Sequence, residues 1–389
     1  MLAQSPVAGD TRVVREATSL VRAGHHVTVV GRGVPQGWRP PDGVVVLSGR
    51  VPSGLGRRRV AGRQGVVGVA LRTARWLLLP EHRRRVESTW CARVRQLVRD
   101  EAPDAVHAHD FNTLELATEV CRATGAFLVY DSHEFWTGRP RVGRPTPLHR
   151  RRDAAAEGCL GRSADAVITV GEGVADALRA KYGWSHVSVV RNTFPLPSGG
   201  ADGRLPEGRG PAGLLYAGRL AADRELEVVA RASDLVDLPV TLIGPADETW
   251  LERFDARRAT VLPARELGQV DALLVQAGVA LVTHSDRWLN HRLALPTKLF
   301  HAVSAGVPVL ATDVGELGRV VREHGLGELY RPGDAEDLAR AVARLRADYP
   351  AAAARVRAAA GALSWARDEA VLLGIYADLP RGRTPSITG

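Results

Sequence analysis

Three cationic side chains stand where a parallel α/β sheet binds its ligands. Arg219 and Arg224 occupy the turn after a short apolar strand, residues 214–217, and Lys298 lies near the start of a later helix. Gly218 precedes the arginines and lets a ligand approach the backbone. Guanidinium and ammonium groups donate to phosphate oxygens, and a helix amino terminus adds to the attraction. These residues predict a diphosphate site; the alternative is an ordinary surface turn with two arginines.

A second group of polar residues follows two buried strands in the first half of the chain. His109 and Asp110 end one strand, and Asp131, His133 and Glu134 follow the next. The carboxyl ends of parallel strands meet at one edge of a sheet, so these side chains are candidates for contacts with a substrate. The spacing of these histidines and carboxylates matches no standard metal site, and we expect no metal and no cofactor.

The stretch from Asn290 to Glu316 combines a helix start, a helix, a tight turn and a strand. Pro296 fits the first turn of the helix, and Gly306 ends it. The apolar run 307–311 suits a strand buried on both faces, whose carboxyl end would meet a ligand. The residues that follow this strand and that we place at the ligand are Asp313, Gly315 and Glu316. For Glu316 the alternative is a carboxylate that the helix dipole favours.

Alternating strands and helices position all of these residues. The predicted strands of the first half are 26–30, 44–47, 105–107, 127–130, 166–170 and 187–190, with helices at 12–23, 113–124 and 174–181. The second half has predicted strands 214–217, 240–243, 260–262, 279–282 and 307–311, and helices 225–232, 248–254 and 267–276. Further helices are expected through residue 356, followed by a terminal helix at 364–379. This alternation predicts an α/β protein with two Rossmann-like domains.

We divide the chain into an N-terminal domain, residues 1–192, a linker, 193–212, a C-terminal domain, 213–363, and a terminal helix and tail, 364–389. The linker is rich in proline and glycine and has no hydrophobic period. We expect the two domains to face a cleft, which is a preferred place for ligands. Residues 1–5 form only the end of a first strand, so we expect the natural start to lie a few residues upstream.

The composition indicates a globular protein. Of the 389 residues 45% are hydrophobic, and the three cysteines at wide spacing indicate neither a disulfide framework nor a zinc site. Charged residues interrupt the amino terminus, so no secretory signal is visible, and no apolar run approaches the roughly 18 residues that span a bilayer. We therefore expect a cytoplasmic protein.

The net charge of +9 is concentrated in residues 57–100. This segment holds twelve arginines and three acidic residues, interleaved with apolar ones, and so carries the whole excess. One interpretation is a basic amphipathic surface that contacts an anionic membrane at its inner face, or a phosphate-bearing acceptor. The other is a set of solvated, arginine-rich helix faces. We expect no nucleic-acid binding, because no aromatic platform or reading motif accompanies the charge.

Two stretches carry a family resemblance. Residues 293–317, LALPTKLFHAVSAGVPVLATDVGEL, are similar to the donor-binding core of the retaining, two-domain GT-B glycosyltransferases of family 4. The opening stretch, SPVAGDTRVVREATSLVRAGHHVTVV, resembles the start of the same proteins. The resemblance implies two Rossmann-like domains with a C-terminal helix that crosses back to the first, and a nucleoside diphosphate sugar as substrate.

The resemblance also assigns residues to the site. It implies His109 beside the transferred sugar, as a catalytic residue with Arg219 and Arg224; Arg224 stands where the family has a lysine. Residues 261–266 take the place of the segment that holds the nucleotide base, which adds Leu262 to the donor side. We place four residues on the acceptor side: Asp10, Asp110, His133 and Glu134.

The chain departs from the family at a pair of glutamates. Leu293 and His301 occupy these two positions, so His301 is predicted to contact the ribose in place of a carboxylate. We expect glycosyl transfer to an unidentified acceptor hydroxyl with retention of anomeric configuration. The alternatives are a sugar-nucleotide epimerase of the same fold, or an inactive nucleotide-sugar-binding scaffold. A nicotinamide-dependent dehydrogenase is disfavoured, because no Gly-x-Gly-x-x-Gly follows the first strand of either half.

Overall fold

A computed structural model describes residues 1–49, 89–98, 100–139, 147–197 and 210–379, with residues 147–149 described by their backbone alone. Most of the arginine-rich segment 57–100 lies outside these ranges. The basic amphipathic surface predicted for this segment therefore falls outside the described residues. The chain divides into two compact units. Unit 1 comprises Met1–Asp131, Ala156–Val167 and Ile375–Gly389, and unit 2 comprises Ser132–Ala155 and Ile168–Gly374.

The first half of the chain alternates strands and helices as predicted. Its strands are β1 (Val27–Gly31), β2 (Val44–Ser48), β3 (Ala105–His109), β4 (Phe127–Ser132), β5 (Ala166–Thr169) and β6 (Val187–Val189). Its helices are α1 (Thr11–Arg22), α2 (Phe111–Thr124), α3 (Pro147–Arg162) and α4 (Glu172–Tyr182), and residues 89–98 are also helical. Strands β1 and β2 pair in parallel, and a second sheet has the order β3-β4-β5-β6.

The first residues of the chain take the place of a central strand in unit 1. Leu2 makes parallel bridges to Val30 of β1 and to Ala108 of β3. Its amide donates to the His107 carbonyl, and its own carbonyl accepts from the His109 amide. The expected remnant of a first strand is therefore present, and it holds the end of β3 in position.

The second half forms one six-stranded sheet in unit 2. Its strands are β7 (Leu214–Ala217), β8 (Val240–Ile243), β9 (Thr260–Leu262), β10 (Ala280–Val282), β11 (Val309–Thr312) and β12 (Gly327–Tyr330). The order is β12-β11-β10-β7-β8-β9, and every neighbouring pair is parallel. The helices are α5 (Leu226–Ala232), α6 (Glu248–Leu251), α7 (Leu267–Ala277), α8 (Leu289–Leu293), α9 (Thr297–Ser304), α10 (Gly315–His324), α11 (Ala335–Ala347), α12 (Tyr349–Ala360) and α13 (Trp365–Ala377).

Both faces of this sheet are covered, which explains the unbroken apolar strands. In β7, Leu214 and Tyr216 pack into one core cluster, whereas Leu215 packs into the other. Successive side chains of a strand point to opposite faces, so a doubly covered strand needs apolar residues at every position. The α/β class with parallel sheets in two Rossmann-like domains is confirmed.

Four elements differ from the sequence prediction. Helices were expected from the end of β11 through residue 356, but β12 interrupts them; α3 and α8 were not predicted either. Gly327 explains part of the miss, because an added Cβ there would lie 2.0 Å from the Val309 carbonyl oxygen. A glycine that permits close strand pairing looks like a helix breaker in sequence. The helix expected at 248–254 ends at Leu251.

The C-terminal helix is anchored in unit 2. The Asp368 carboxylate of α13 accepts from Arg191 Nε at 3.0 Å and from Thr193 Oγ1 at 2.6 Å. Residues from Ile375 onward belong to unit 1. Within the ranges that the structure describes, no helix is both long enough and apolar enough to cross a membrane.

Candidate functional site

The turn after β7 is built around Gly218. Its φ of +154° is rarely adopted by other residues, and an added Cβ would lie 2.3 Å from Lys298 Cε and 2.7 Å from Nζ. The Lys298 side chain therefore lies directly against the Gly218 backbone, with its ammonium 5.0 Å from the centre of the Tyr216 ring. The structure brings together the predicted residues Gly218 and Lys298, which are 80 positions apart in the chain.

A second glycine fixes this turn against the neighbouring strand. An added Cβ at Gly244, which follows β8, would lie 1.9 Å from the Gly218 carbonyl oxygen. The Gly218 amide donates to the Ile243 carbonyl at 2.9 Å. Backbone therefore packs on backbone where the two strands end, and no side chain fits between them.

The two predicted arginines differ in how firmly they are held. Arg219 has a side chain that is 63% exposed and lies 3.8 Å from the Asp247 carboxylate. Arg224 is only 25% exposed, and its carbonyl accepts a 2.6 Å hydrogen bond from Thr283 Oγ1. Arg224 is thus anchored in the site, whereas Arg219 extends from its rim.

Several polar atoms near this turn lack hydrogen-bond partners. Among the described residues, the buried atoms Arg224 Nε, His291 Nδ1 and Tyr330 OH make no hydrogen bond, although Asp223 Oδ2 lies 3.5 Å from Arg224 Nε. Lys298 is half-buried, and its Nζ makes no hydrogen bond or ion pair with another described residue. A buried polar group without a partner costs about 1 to 3 kcal/mol, so such groups usually belong to a ligand or water site.

The environment of Lys298 is short of negative charge. Burial and, to a smaller extent, the positive charge of Arg224 lower the pKa of Lys298 to about 8, with partial compensation from Asp223. A lysine with a depressed pKa beside a second cation is stabilised by an incoming anion. The chemistry of these donors therefore fits a phosphate or diphosphate.

Two histidines lie beside the cations. His284, which follows β10, stacks on His291 of α8 with ring centroids 5.0 Å apart. His284 Nδ1 lies 3.2 Å from the His291 carbonyl oxygen, and the His284 amide donates to Thr312 Oγ1 at 2.8 Å. Neither histidine belongs to the residues predicted from sequence, although His291 lies within the stretch 290–316.

His301 meets a carboxylate that the sequence analysis did not identify. Its Nε2 contacts Asp271 Oδ1 of α7, and its ring stacks on Phe194 with centroids 5.1 Å apart. A histidine at a position where the family has a glutamate is thus placed beside an aspartate. The predicted ribose contact of His301 stays a prediction.

The other residues predicted on the donor side are mostly held by arginines. Glu316 accepts two hydrogen bonds from Arg319, at 2.6 and 3.0 Å, and Asp313 accepts one from Arg322 at 2.7 Å. Gly315 has a φ of +43°, and an added Cβ would lie 2.0 Å from the Arg292 carbonyl oxygen.

Leu262 ends β9, and its carbonyl accepts from the Gly244 amide at 3.3 Å. Its predicted place beside the base stays a prediction.

The loop after β4 is tied to α8 within unit 2. Asn290 Nδ2 donates to Glu134 Oε2 at 3.1 Å, and Asn290 Oδ1 accepts from the Phe135 amide at 3.0 Å. Glu134 Oε1 also accepts from Arg139 at 2.8 Å, and the guanidinium of Arg139 lies 3.1 Å from the Trp136 ring centroid. Asn290 therefore links the loop that carries His133 and Glu134 to the helix that carries His291.

Unit 1 contains a separate buried polar cluster. Arg12 donates to both oxygens of Asp131, at 2.7 and 2.8 Å, and its Nε lies 3.0 Å from Glu16 Oε1. His109 is 2% exposed, with Nδ1 3.1 Å from Asp131 Oδ2. Its ring stacks on His107 at 4.3 Å between centroids.

The cluster is closed by the C-terminal helix and has the composition of a metal site. Tyr376 OH lies 2.8 Å from His107 Nδ1. Glu16, His107, His109 and Asp131 place one ligand atom each within 4.8 Å of the others. Because Arg12 already neutralises part of their charge, the described residues form an internally paired cluster. The predicted sugar contact of His109 stays a prediction.

Two further predicted residues of unit 1 have structural roles. Asp10 caps α1, since its carboxylate accepts from the Val13 amide at 3.3 Å and from Ser5 Oγ at 2.7 Å. Asp110 adopts a φ of +64° between β3 and α2, and its amide donates to the Asp131 carbonyl at 2.8 Å. Their assignment to the acceptor side stays a prediction.

Comparisons with known proteins agree on the class of the molecule. Sucrose-phosphate synthase from Thermosynechococcus elongatus has a TM-score of 0.71 at 16% identity, covering 97% of this chain and 94% of that one. Anabaena Alr3699/HepE in complex with UDP-glucose has a TM-score of 0.69 at 14% identity, covering 97% and 99%. The fold is that of the GT-B glycosyltransferases.

Sequence comparison gives the family. The model Glycosyltransferase Family 4 matches residues 9–196, and the model Glycosyl transferases group 1 matches residues 211–348. The chain belongs to the family 4 glycosyltransferases of the group 1 type. Glycogen synthase of Mycobacterium tuberculosis is 29% identical over 271 residues, which cover 66% of this chain and 63% of that synthase.

Proposed function

We propose that this protein transfers a sugar from a nucleoside diphosphate donor to an acceptor hydroxyl, with retention of anomeric configuration. The observation that carries the proposal is the set of donors without partners around Gly218. Arg224 Nε is buried and makes no hydrogen bond among the described residues, and the Lys298 ammonium lies against Gly218 without a carboxylate partner in the same ranges. Family membership and the UDP-glucose bound to the Anabaena structure support a nucleoside diphosphate sugar as the ligand.

The proposed roles follow from where charge develops. The bond between the anomeric carbon and the diphosphate oxygen breaks, and a bond from the acceptor oxygen to that carbon forms. The leaving diphosphate gains negative charge, which Lys298, Arg224 and Arg219 stabilise. The acceptor's proton passes to an oxygen of the departing phosphate on the same face of the sugar, as the family resemblance implies.

A donor panel tests the proposal. We expect one of UDP-glucose, ADP-glucose or GDP-mannose to raise the melting temperature, since a ligand at 100 times its Kd adds about 2.7 kcal/mol of stability. Lys298→Met should remove about half of this shift or more. The matched control is Lys181→Met, since Lys181 is the chain's only other lysine and contacts Thr137 at the surface.

Product analysis separates the alternatives. Release of free nucleoside diphosphate that depends on an added sugar acceptor supports transfer. Conversion of the donor to an epimer without an acceptor would indicate an epimerase instead. Donor binding without turnover over a panel of acceptors would indicate a binding scaffold, and no binding by any donor would contradict the proposed site.

A further inference from the structure

The stacked pair His284–His291 borders the anion site and has no role in the mechanism so far. His291 is 8% exposed, and its Nδ1 makes no hydrogen bond among the described residues. His284 is 5% exposed, and its Nδ1 is engaged with the His291 carbonyl. His291 therefore has a buried ring nitrogen available to a ligand.

The groups that face the pair are mostly positive. Burial lowers the pKa of His284 to about 3, with smaller contributions in the same direction from His291, Lys298 and Arg224. Burial and then Arg224 lower the pKa of His291, while Asp223 and the Ser285 backbone oppose this shift. Both imidazoles are accordingly neutral near pH 7 in the free protein.

A bound diphosphate would offset the positive charges that surround the two histidines. It brings about two negative charges into a site whose cations now repel a proton on His291. An opposite charge within about 4 to 6 Å favours the charged form of a titratable group, and a protonated imidazole donates from both ring nitrogens. The buried Nδ1 of His291 would then gain the hydrogen-bond partner that it lacks.

We propose that His291 is a proton-coupled binding residue of this site: it is neutral in the free protein and takes up a proton when the donor diphosphate binds, with Nδ1 donating to the ligand. This inference rests on the proposed function, because it needs an anionic donor in the site. His284 remains neutral, and its ring stacks on that of His291. Lys298 contributes little to the uptake at pH 6.5, because a lysine of pKa about 8 is already protonated there.

The sign of the pH dependence follows. His291 has a lowered pKa in the free protein, and the bound anion raises it, so binding takes up protons between the two pKa values. Donor affinity should increase as the pH falls from 8 to 6.

Calorimetry measures the uptake directly. Wild-type protein is titrated at pH 6.5 with UDP-glucose, ADP-glucose and GDP-mannose, in two buffers that differ in ionisation enthalpy. The diphosphate of these donors is a diester without a proton to lose near neutral pH, so the buffer-dependent heat reports the protein. We expect clear net proton uptake in wild type, little uptake in His291→Gln, and several-fold weaker binding of that variant at pH 6 but not at pH 8.

His324→Gln is the matched control, since His324 ends α10 and should leave the uptake unchanged. Binding without proton uptake in wild type would overturn the inference even if His291→Gln failed to fold. Undiminished uptake in a folded His291→Gln would also overturn it. Absence of binding by every donor would contradict the proposed function instead.

Discussion

Two buried polar clusters in this protein differ in how their charges are matched. The cluster in unit 1 joins one guanidinium, Arg12, to two fully buried carboxylates, Glu16 and Asp131, by ion pairs of 2.7 to 3.0 Å. In unit 2, Lys298 is influenced by the charges of Arg224 and Asp223, and Asp223 Oδ2 lies 3.5 Å from Arg224 Nε. The first contains direct ion pairs between opposite charges, whereas the second groups two cations near one carboxylate.

This difference distinguishes a structural role from a binding role. Removing one partner from an internally paired cluster leaves an uncompensated buried charge. Removing a cation from a cluster with excess positive charge relieves repulsion between the cations and impairs only ligand binding. Mutations in the unit 1 cluster should therefore reduce stability, whereas mutations in the unit 2 cluster should weaken ligand binding without loss of stability.

The largest effect is expected for Arg12→Met. It leaves Glu16 and Asp131 buried without their cation, which should reduce the free energy of unfolding by about 3 to 5 kcal/mol. Urea denaturation of the variant and of wild type measures the change. A loss below about 1 kcal/mol would mean that water or a proton shared by His107 and His109 replaces the guanidinium.

The second effect concerns donor affinity. Lys298→Met should weaken binding of the nucleotide sugar by tenfold or more, because a hydrogen bond to a charged group contributes about 1.5 to 3 kcal/mol. The same variant should be at least as stable as wild type near pH 7, because it removes a charge that burial and Arg224 disfavour in the folded protein. Binding calorimetry and urea denaturation give the two values. A variant that lost stability but kept its affinity would place Lys298 with the structural cluster.

The third prediction is a pH dependence of stability. The pKa of Lys298 in the folded protein, about 8, lies below its ordinary value of 10.5, so the unfolded chain binds more protons between these values. The stability of wild type relative to Lys298→Met should rise as the pH increases from 8 to 10.5. Denaturation curves at four pH values in this window provide the test. A difference that stays constant would mean that Lys298 titrates normally.

The smallest effect is expected for an exposed ion pair. Arg95 and Glu119 in unit 1 are 37% and 49% exposed and make a bidentate contact of 2.8 Å. Arg95→Ala should cost less than about 1 kcal/mol, since water screens such pairs. Comparison with Arg12→Met under identical conditions then isolates the effect of burial.

Much of the fold was predictable because buried strands leave a local pattern. The strands at 214–217, 240–243 and 260–262 have the predicted bounds, since each is a short apolar or β-branched run next to turn residues. Strand β12 was missed, because GELY contains few apolar residues and depends on pairing with β11. Such pairing is a tertiary interaction, which a local pattern does not contain.

The site was predictable only in part, for the same reason. The cations Arg219, Arg224 and Lys298 were identified from their types and their place after a strand or at a helix start. The ion pair of Arg12 with Asp131 was not, since these two residues are 119 positions apart and only the fold brings them together. Asp271 beside His301 was missed likewise, because a carboxylate on a separate helix gives no sign in sequence of the histidine that it contacts.

The different anchoring of the two arginines has a consequence for rates. Arg219 extends from the rim and is 63% exposed, so it should attract the donor from solution and influence mainly the association rate. Arg224 is fixed by Thr283 and Lys298 by its contact with Gly218, so these two should govern how long the donor stays. Different residues thus govern the association rate and the dissociation rate of the donor, and ionic strength should alter the association rate much more than the dissociation rate.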